Sequence, residues 1–209
     1  MSGNVVVDKM VQSLEILVKI VLLNGIWLLF TVLGLGVLGF FPATAALLAV
    51  IRKWLMVGME TSILKTFAGS YKKEFMKANL YGFMIVFYAW VLYVNYQYML
   101  TASGWLQFLL VVGFIATSTL FLLTVTFLFP SLVHFELSFL ENLKFSFLLG
   151  VTKFYLAISV GIGLAIIYHS FLFIPGIMVW FLPSAIGFIV MALTFQGLKR
   201  VPSSVHSPI

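Results

Sequence analysis

The chain has 209 residues, of which 63% are hydrophobic and only 9% charged, where a soluble domain carries roughly 45–50% and 25%. Its formal charge of +6 does not point to nucleic acid, because the basic residues flank apolar runs, a placement that anionic lipid and the positive-inside rule account for. Cysteine is absent, which excludes a disulfide framework, a thiolate nucleophile and a Cys-based metal site.

Several apolar runs are long enough to cross a bilayer, which takes about 20 residues. The fold class expected is therefore all-α, a polytopic transmembrane bundle of six spans (five is the alternative) with short interfacial amphipathic helices. A single membrane domain covers 1–209, read as hairpins at 5–57, 59–129 and 131–200, with 201–209 as a disordered tail. Asp8 and Glu15 interrupt the N-terminus, so it reads as a retained segment and not a cleavable signal.

In chain order, Val7, Met10, Val11, Leu14, Leu17 and Val18 recur at helical spacing and predict an interfacial helix over 5–19. No charge occurs from Ile20 to Ile51, a run of 32 residues. As one helix it would be about 48 Å long, against a hydrocarbon core of about 30 Å. A break is expected at Gly34, Gly36, Gly39 and Pro42, since glycine tolerates turns and proline suits the first turn of a new helix. This divides the run into helices at about Lys19–Val37 and Pro42–Met56. The second would be only about 22 Å long, tilted or re-entrant.

Residues 59–77 carry Lys65, Lys72, Lys73 and Lys77, with Ile63, Leu64, Phe67, Tyr71 and Phe75 at helical spacing, and predict a second interfacial helix. Spans follow at 78–100 and Trp105–Phe129, joined by an uncharged turn at 101–104 and ended by Phe129-Pro130-Ser131. A third interfacial helix is expected over 131–146, then spans at about Phe147–Tyr168 and Ile177–Gln196. Half of the twelve basic residues fall in 52–77, including Arg52 and Lys53, and Lys199 and Arg200 close the last span. The turns at 101–104 and 169–176 hold none. The positive-inside rule then places 52–77, 131–146 and the C-terminus in the cytoplasm and the two short turns outside. With two crossings in the uncharged run the N-terminus is cytoplasmic too; with one crossing plus an interfacial segment it lies outside and the spans number five. A weak internal repeat pairs GFIATSTLF at 113–121 with GFIVMALTF at 187–195, which suggests three hairpins of one pattern.

LLNGIWLLF at 22–30, the glycine ladder, PATAALLAVIRKW at 42–54 and KTFAGSYKKEFMKANLYG at 65–82 resemble the YesL-like family of bacterial membrane proteins. The similarity covers about the first 80 residues; beyond them it is general hydropathy and hairpin order. The family's function is not established, so the resemblance supplies no site residues. Its members are often encoded beside carbohydrate importers and polysaccharide-degrading enzymes, which implies an accessory role in sugar uptake.

Polar side chains within spans are costly and are the natural candidates for a role. Asn24 and Thr44 read as packing groups between helices, and Lys153 as an anchor that snorkels to the interface. Thr117, Ser118, Thr119, Thr124 and Thr126 can return their hydroxyls to the preceding turn, pack against a neighbour or line a polar pore. Arg52, Lys53, Lys65, Lys72, Lys73 and Lys77 form a basic cytoplasmic interface for anionic lipid. The histidines at 134, 169 and 206 are scattered, with no His-Glu-x-x-His and no Gly-x-Ser-x-Gly. The expectation is a non-enzymatic accessory or scaffold protein of the bacterial cytoplasmic membrane. No cofactor is expected, and the partners would be lipid and a component of a carbohydrate ABC importer or sensor. The alternative is a small transporter or channel, single or homo-oligomeric.

Overall fold

The computed structural model describes residues 2–172 and 175–198. Their backbone forms α1 (Ser2–Leu33), α2 (Val37–Val57), α3 (Ile63–Thr101), α4 (Gly104–His134), α5 (Phe139–Thr152), α6 (Phe154–Leu172) and α7 (Pro175–Leu198). Five of these are long and apolar enough to cross a membrane, and a sixth crossing is possible if the bent pair α5 and α6 counts as one span. The chain is therefore an all-helical, multi-pass membrane protein in its length and composition. The readings of 201–209, of Lys199 and Arg200 and of His206 lie outside the described residues.

The long uncharged run breaks earlier than expected. Gly36 N–H returns to the Thr31 carbonyl at 2.9 Å and Leu35 N–H to Val32 at 3.0 Å, the paired bonds that close a helix over a left-handed residue. Leu35 takes that conformation with φ 62°, and Gly36 follows at 72°. The turn is thus Gly34-Leu35-Gly36, while Gly39 and Pro42 lie inside α2. Pro42, at the sixth position of α2, is past the first four N–H groups that lack an intrahelical acceptor, and it costs the helix one bond, to the Leu38 carbonyl. Starting at Val37, α2 has 21 residues and reaches about 31 Å, enough to span without re-entry.

Gly39 serves close approach. A Cβ on it would fall 2.8 Å from the Phe30 carbonyl oxygen and nearer still to that of Thr31, so α1 and α2 meet backbone to backbone. Around this crossing α2 is the centre of the molecule and packs against α1, α3, α4 and α7. Ala43, Ala45, Ala46, Val50 and Ile51 are all fully buried. Small residues there let four neighbours approach one helix.

Two interfacial segments are not separate helices. Residues 5–19 continue into α1, and the basic stretch 63–77 continues into the next span as α3, 39 residues in one piece and about 58 Å long. Nothing in either stretch terminates a helix: there is no proline, and Gly69 meets open space. The far halves of α3 and α4 meet at Tyr88–Phe121 and Tyr96–Phe114 and leave Phe83, Phe87, Trp90, Trp105 and Phe108 exposed, a surface suited to lipid.

Helix α4 does not stop at Phe129-Pro130-Ser131 but runs through Pro130 to His134. The third short helix accordingly starts at Phe139 instead of 131. Its start is set by Ser138, whose hydroxyl accepts from Glu141 N–H at 3.4 Å while Glu141 accepts from Ser138 N–H at 2.9 Å, a capping box. The expected span 147–168 is interrupted: α5 ends at Thr152, Lys153 caps it, and α6 leaves at 86°. The proposed repeat is not matched in packing. Gly187 lies against α2, where a Cβ would sit 2.6 Å from Ile51, whereas the equivalent Gly113 has nothing within 4 Å.

Candidate functional site

Two groups of polar side chains stand out, one inside the spans and one at the basic end of α2 and α3. The first group joins helices. Asn24 on α1 is 1% exposed. Its Nδ2 donates to Ser184 Oγ at 2.8 Å and to the Ile20 carbonyl at 2.9 Å, and its Oδ1 accepts from Ser184 N–H at 3.1 Å. Pro183 precedes this serine, lacks an N–H and opens α7 at that turn. A second Pro-Ser pair, Pro130-Ser131, is used in the same way. Ser131 Oγ lies 2.7 Å from Ser146 Oγ, and Asn142 Nδ2 on α5 donates to the Leu128 carbonyl at 3.2 Å. The third internal proline, Pro42, has Thr44 two residues on. Thr44 Oγ1 accepts from Trp27 Nε1 at 3.3 Å and donates to the Phe40 carbonyl at 2.8 Å. Each interhelical bond in lipid contributes about 0.6–1.7 kcal/mol.

The other intramembrane candidates differ. Thr117, Thr119, Thr124 and Thr126 return their hydroxyls to carbonyls four residues back, at 2.7–2.8 Å. Lys153 is not placed along a continuous span. It occupies the break between α5 and α6, with its N–H on Leu149 and its carbonyl receiving Leu156 N–H at 2.8 Å.

At the basic end, the six predicted basic residues separate into two sets. Lys65 and Lys72 are exposed. Arg52, Lys53, Lys73 and Lys77, of which Lys53 and Lys73 are exposed as well, tie α2, α3, the end of α4 and the 135–138 connection together. Arg52 Nε donates to His134 Nδ1 at 3.1 Å, and because arginine only donates, Nδ1 is the unprotonated ring nitrogen. Lys53 Nζ donates to Thr66 Oγ1 at 3.3 Å, and Lys77 Nζ to the Leu137 carbonyl at 2.9 Å. Lys73 pairs with Glu136. Its hydrogen bond and its charge hold the exposed Glu136 carboxyl below the usual carboxylate range.

Between these residues lies a cavity of about 300 Å³, lined by Arg52, Lys53, Thr66, Ser70, Lys73 and Glu74 among others. On α3 the lining positions are spaced four, three and one apart, so they share one helix face. Glu74 is 7% exposed. Among the described residues it makes no hydrogen bond or ion pair. Sequence reasoning did not single out Glu74, Ser70 or Ser184. The positions 66, 70, 73 and 74 on a single face were the available signal.

A known family model, "Protein of unknown function, DUF624", matches residues 20–96, which hold Asn24, Thr44, Arg52, Lys53, Ser70 and Glu74 but not Ser131, His134, Asn142 or Ser184. Similarity extends over nearly the whole chain in the Bacillus subtilis protein YesV, which is 31% identical over 96% of this chain and 97% of its own length. This chain belongs to the YesL-like family. YteU of the same organism is 32% identical over 96% of the chain and 90% of its own length, and YesL itself is 27% identical over 88% and 86%. All three relatives are described as uncharacterized. Similarity to these relatives thus reaches past the first 80 residues and over most of the chain. No solved structure matches the chain.

Proposed function

We propose that this YesL-like chain is a non-enzymatic accessory or scaffold protein of the bacterial cytoplasmic membrane. It works beside a carbohydrate importer or the sensor that controls one. The observation that carries the reading is the use of polar side chains within the spans: Asn24, Thr44, Ser131 and Ser184 bond to neighbouring helices. They hold a packed assembly around α2, whose centre is alanine, valine and isoleucine. The apolar flank formed by the far halves of α3 and α4 is the surface for lateral association. The link to carbohydrate rests on the genetic neighbourhoods of the family.

Purification in a mild detergent followed by mass spectrometry tests this directly. Recovery of a sugar-uptake component is expected; recovery of the chain alone, from cells grown on polysaccharide, would count against it. The orientation proposed has both termini and the basic ends of α2 and α3 in the cytoplasm. The chain contains no cysteine, so Leu35→Cys at the exposed first turn gives a single label site. It should react with an impermeant thiol reagent from outside intact cells, and reaction only after lysis would reverse the topology.

The 86° bend between α5 and α6 favours a second reading, a small transporter or channel acting alone or as a homo-oligomer. Broken helices at membrane depth line solute sites in transporters. That reading requires solute flux through liposomes containing this chain only.

A further inference from the structure

We propose that the cavity between α2 and α3 binds a phosphate ester that carries a hydroxyl or ammonium group, as a phospholipid headgroup or as a soluble ester of the same chemistry. The inference does not depend on the scaffold reading, and either can fail without the other.

The cations come first. Arg52 and Lys53 sit side by side near the end of α2, and among the described residues neither meets a carboxylate within ion-pair distance. Arg52 uses Nε for His134 and Lys53 one proton for Thr66, so both retain further N–H donors for a phosphate oxygen. Thr66 and Ser70, one turn apart on α3, add hydroxyls on the facing wall. Basic pockets between membrane helices recognise phosphate headgroups through this kind of donor set.

Glu74 makes the site selective. A buried carboxylate is costly unless it meets a donor, and the two lysines nearest to it in sequence are committed elsewhere, Lys73 to Glu136 and Lys77 to the Leu137 carbonyl. Facing the same cavity as Arg52 and Lys53, it would repel a bare anion. It would accept a hydrogen bond from a hydroxyl or ammonium attached beyond the phosphate. A cavity of about 300 Å³ falls at the small end of ligand sites, which run roughly 300–1,000 Å³.

The test uses the full chain in detergent and four probes. Phosphatidylglycerol and phosphatidylcholine are compared by retention in native mass spectrometry, and glycerol phosphate and inorganic phosphate by calorimetric titration. Phosphatidylcholine and inorganic phosphate lack the donor attached beyond the phosphate. The expected result is preference for the donor-bearing member of at least one pair. Loss of binding by roughly tenfold or more is expected in Arg52→Gln/Lys53→Gln, with little change in Lys65→Gln/Lys72→Gln, which alters the exposed lysines outside the cavity. In Glu74→Gln the preference should disappear while binding persists. Preference in the lipid pair alone identifies a headgroup site, and in the soluble pair alone a solute site. Helical content and thermal midpoint are checked for each variant, and Lys53→Gln alone replaces the double variant if that one does not fold. No preference in either pair would overturn the proposal. So would equal losses in the two double variants, or a preference that survives Glu74→Gln.

Discussion

Asn24 holds Ser184 by two bonds at once, its Nδ2 on the hydroxyl at 2.8 Å and its Oδ1 on the backbone N–H at 3.1 Å. Residues 160 positions apart are thereby locked in register, and α1 is joined to α7. The two partners are not equivalent. Asn24→Leu leaves a backbone N–H and a hydroxyl facing an apolar core, each unsatisfied group costing about 1–3 kcal/mol. Ser184→Ala removes one hydroxyl and keeps the bond from Ala N–H to Oδ1, so its cost should be close to a single interhelical bond, about 0.6–1.7 kcal/mol. Equilibrium unfolding in mixed micelles should rank Asn24→Leu as clearly the more damaging.

Gly39 and Gly113 make a matched pair for testing the α1–α2 crossing. A Cβ on Gly39 meets carbonyl oxygens of α1, which cannot move aside without parting the helices, while one on Gly113 meets nothing within 4 Å. Gly39→Ala should destabilise by about 1–3 kcal/mol, the usual cost of overpacking. Gly113→Ala should be neutral or stabilising by up to about 1 kcal/mol, because alanine loses less entropy in a helix. Thermal midpoints in one detergent distinguish the two.

The Lys73–Glu136 pair gives a pH signature. The Glu136 carboxyl is held below the ordinary carboxylate value of 4.5, so the unfolded chain binds its proton at higher pH than the folded one. The contribution of the pair is present above the ordinary value and is lost as pH falls through the depressed folded value. Parent and Glu136→Gln should therefore differ in thermal midpoint at pH 7 and converge at acid pH. The difference should be small and should shrink in high salt, since the pair is exposed.

The membrane class and the existence of a break after α1 were legible because composition and uninterrupted apolar length act over many residues at once. Boundaries were harder. Glycine and proline were read as one turn, but the chain uses Gly34 and Gly36 for the turn, Gly39 for close approach and tolerates Pro42 near the start of α2. Pro130 misled for a related reason: within a bundle, α5 packs against the opened turn and Ser131 bonds to Ser146, so a proline that would end an isolated helix does not end this one. Ser138 and Glu141 carried the capping-box spacing and could have located α5. The 86° bend at Lys153 had no comparable signal, since no glycine or proline stands at the break. Of the site, the basic residues were legible by charge, whereas the placing of Arg52, Lys53 and Glu74 around one cavity depends on how α2 lies against α3, which local spacing does not encode.

The account holds that polar groups within these spans tie helices together and do not form a solute path. Solute flux tests this most directly, with the purified chain alone reconstituted in liposomes and loaded with radiolabelled di- and oligosaccharides. The account predicts leakage equal to that of protein-free liposomes, with or without a membrane potential. Saturable sugar flux that Asn24→Leu abolishes in a still-folded protein would contradict it.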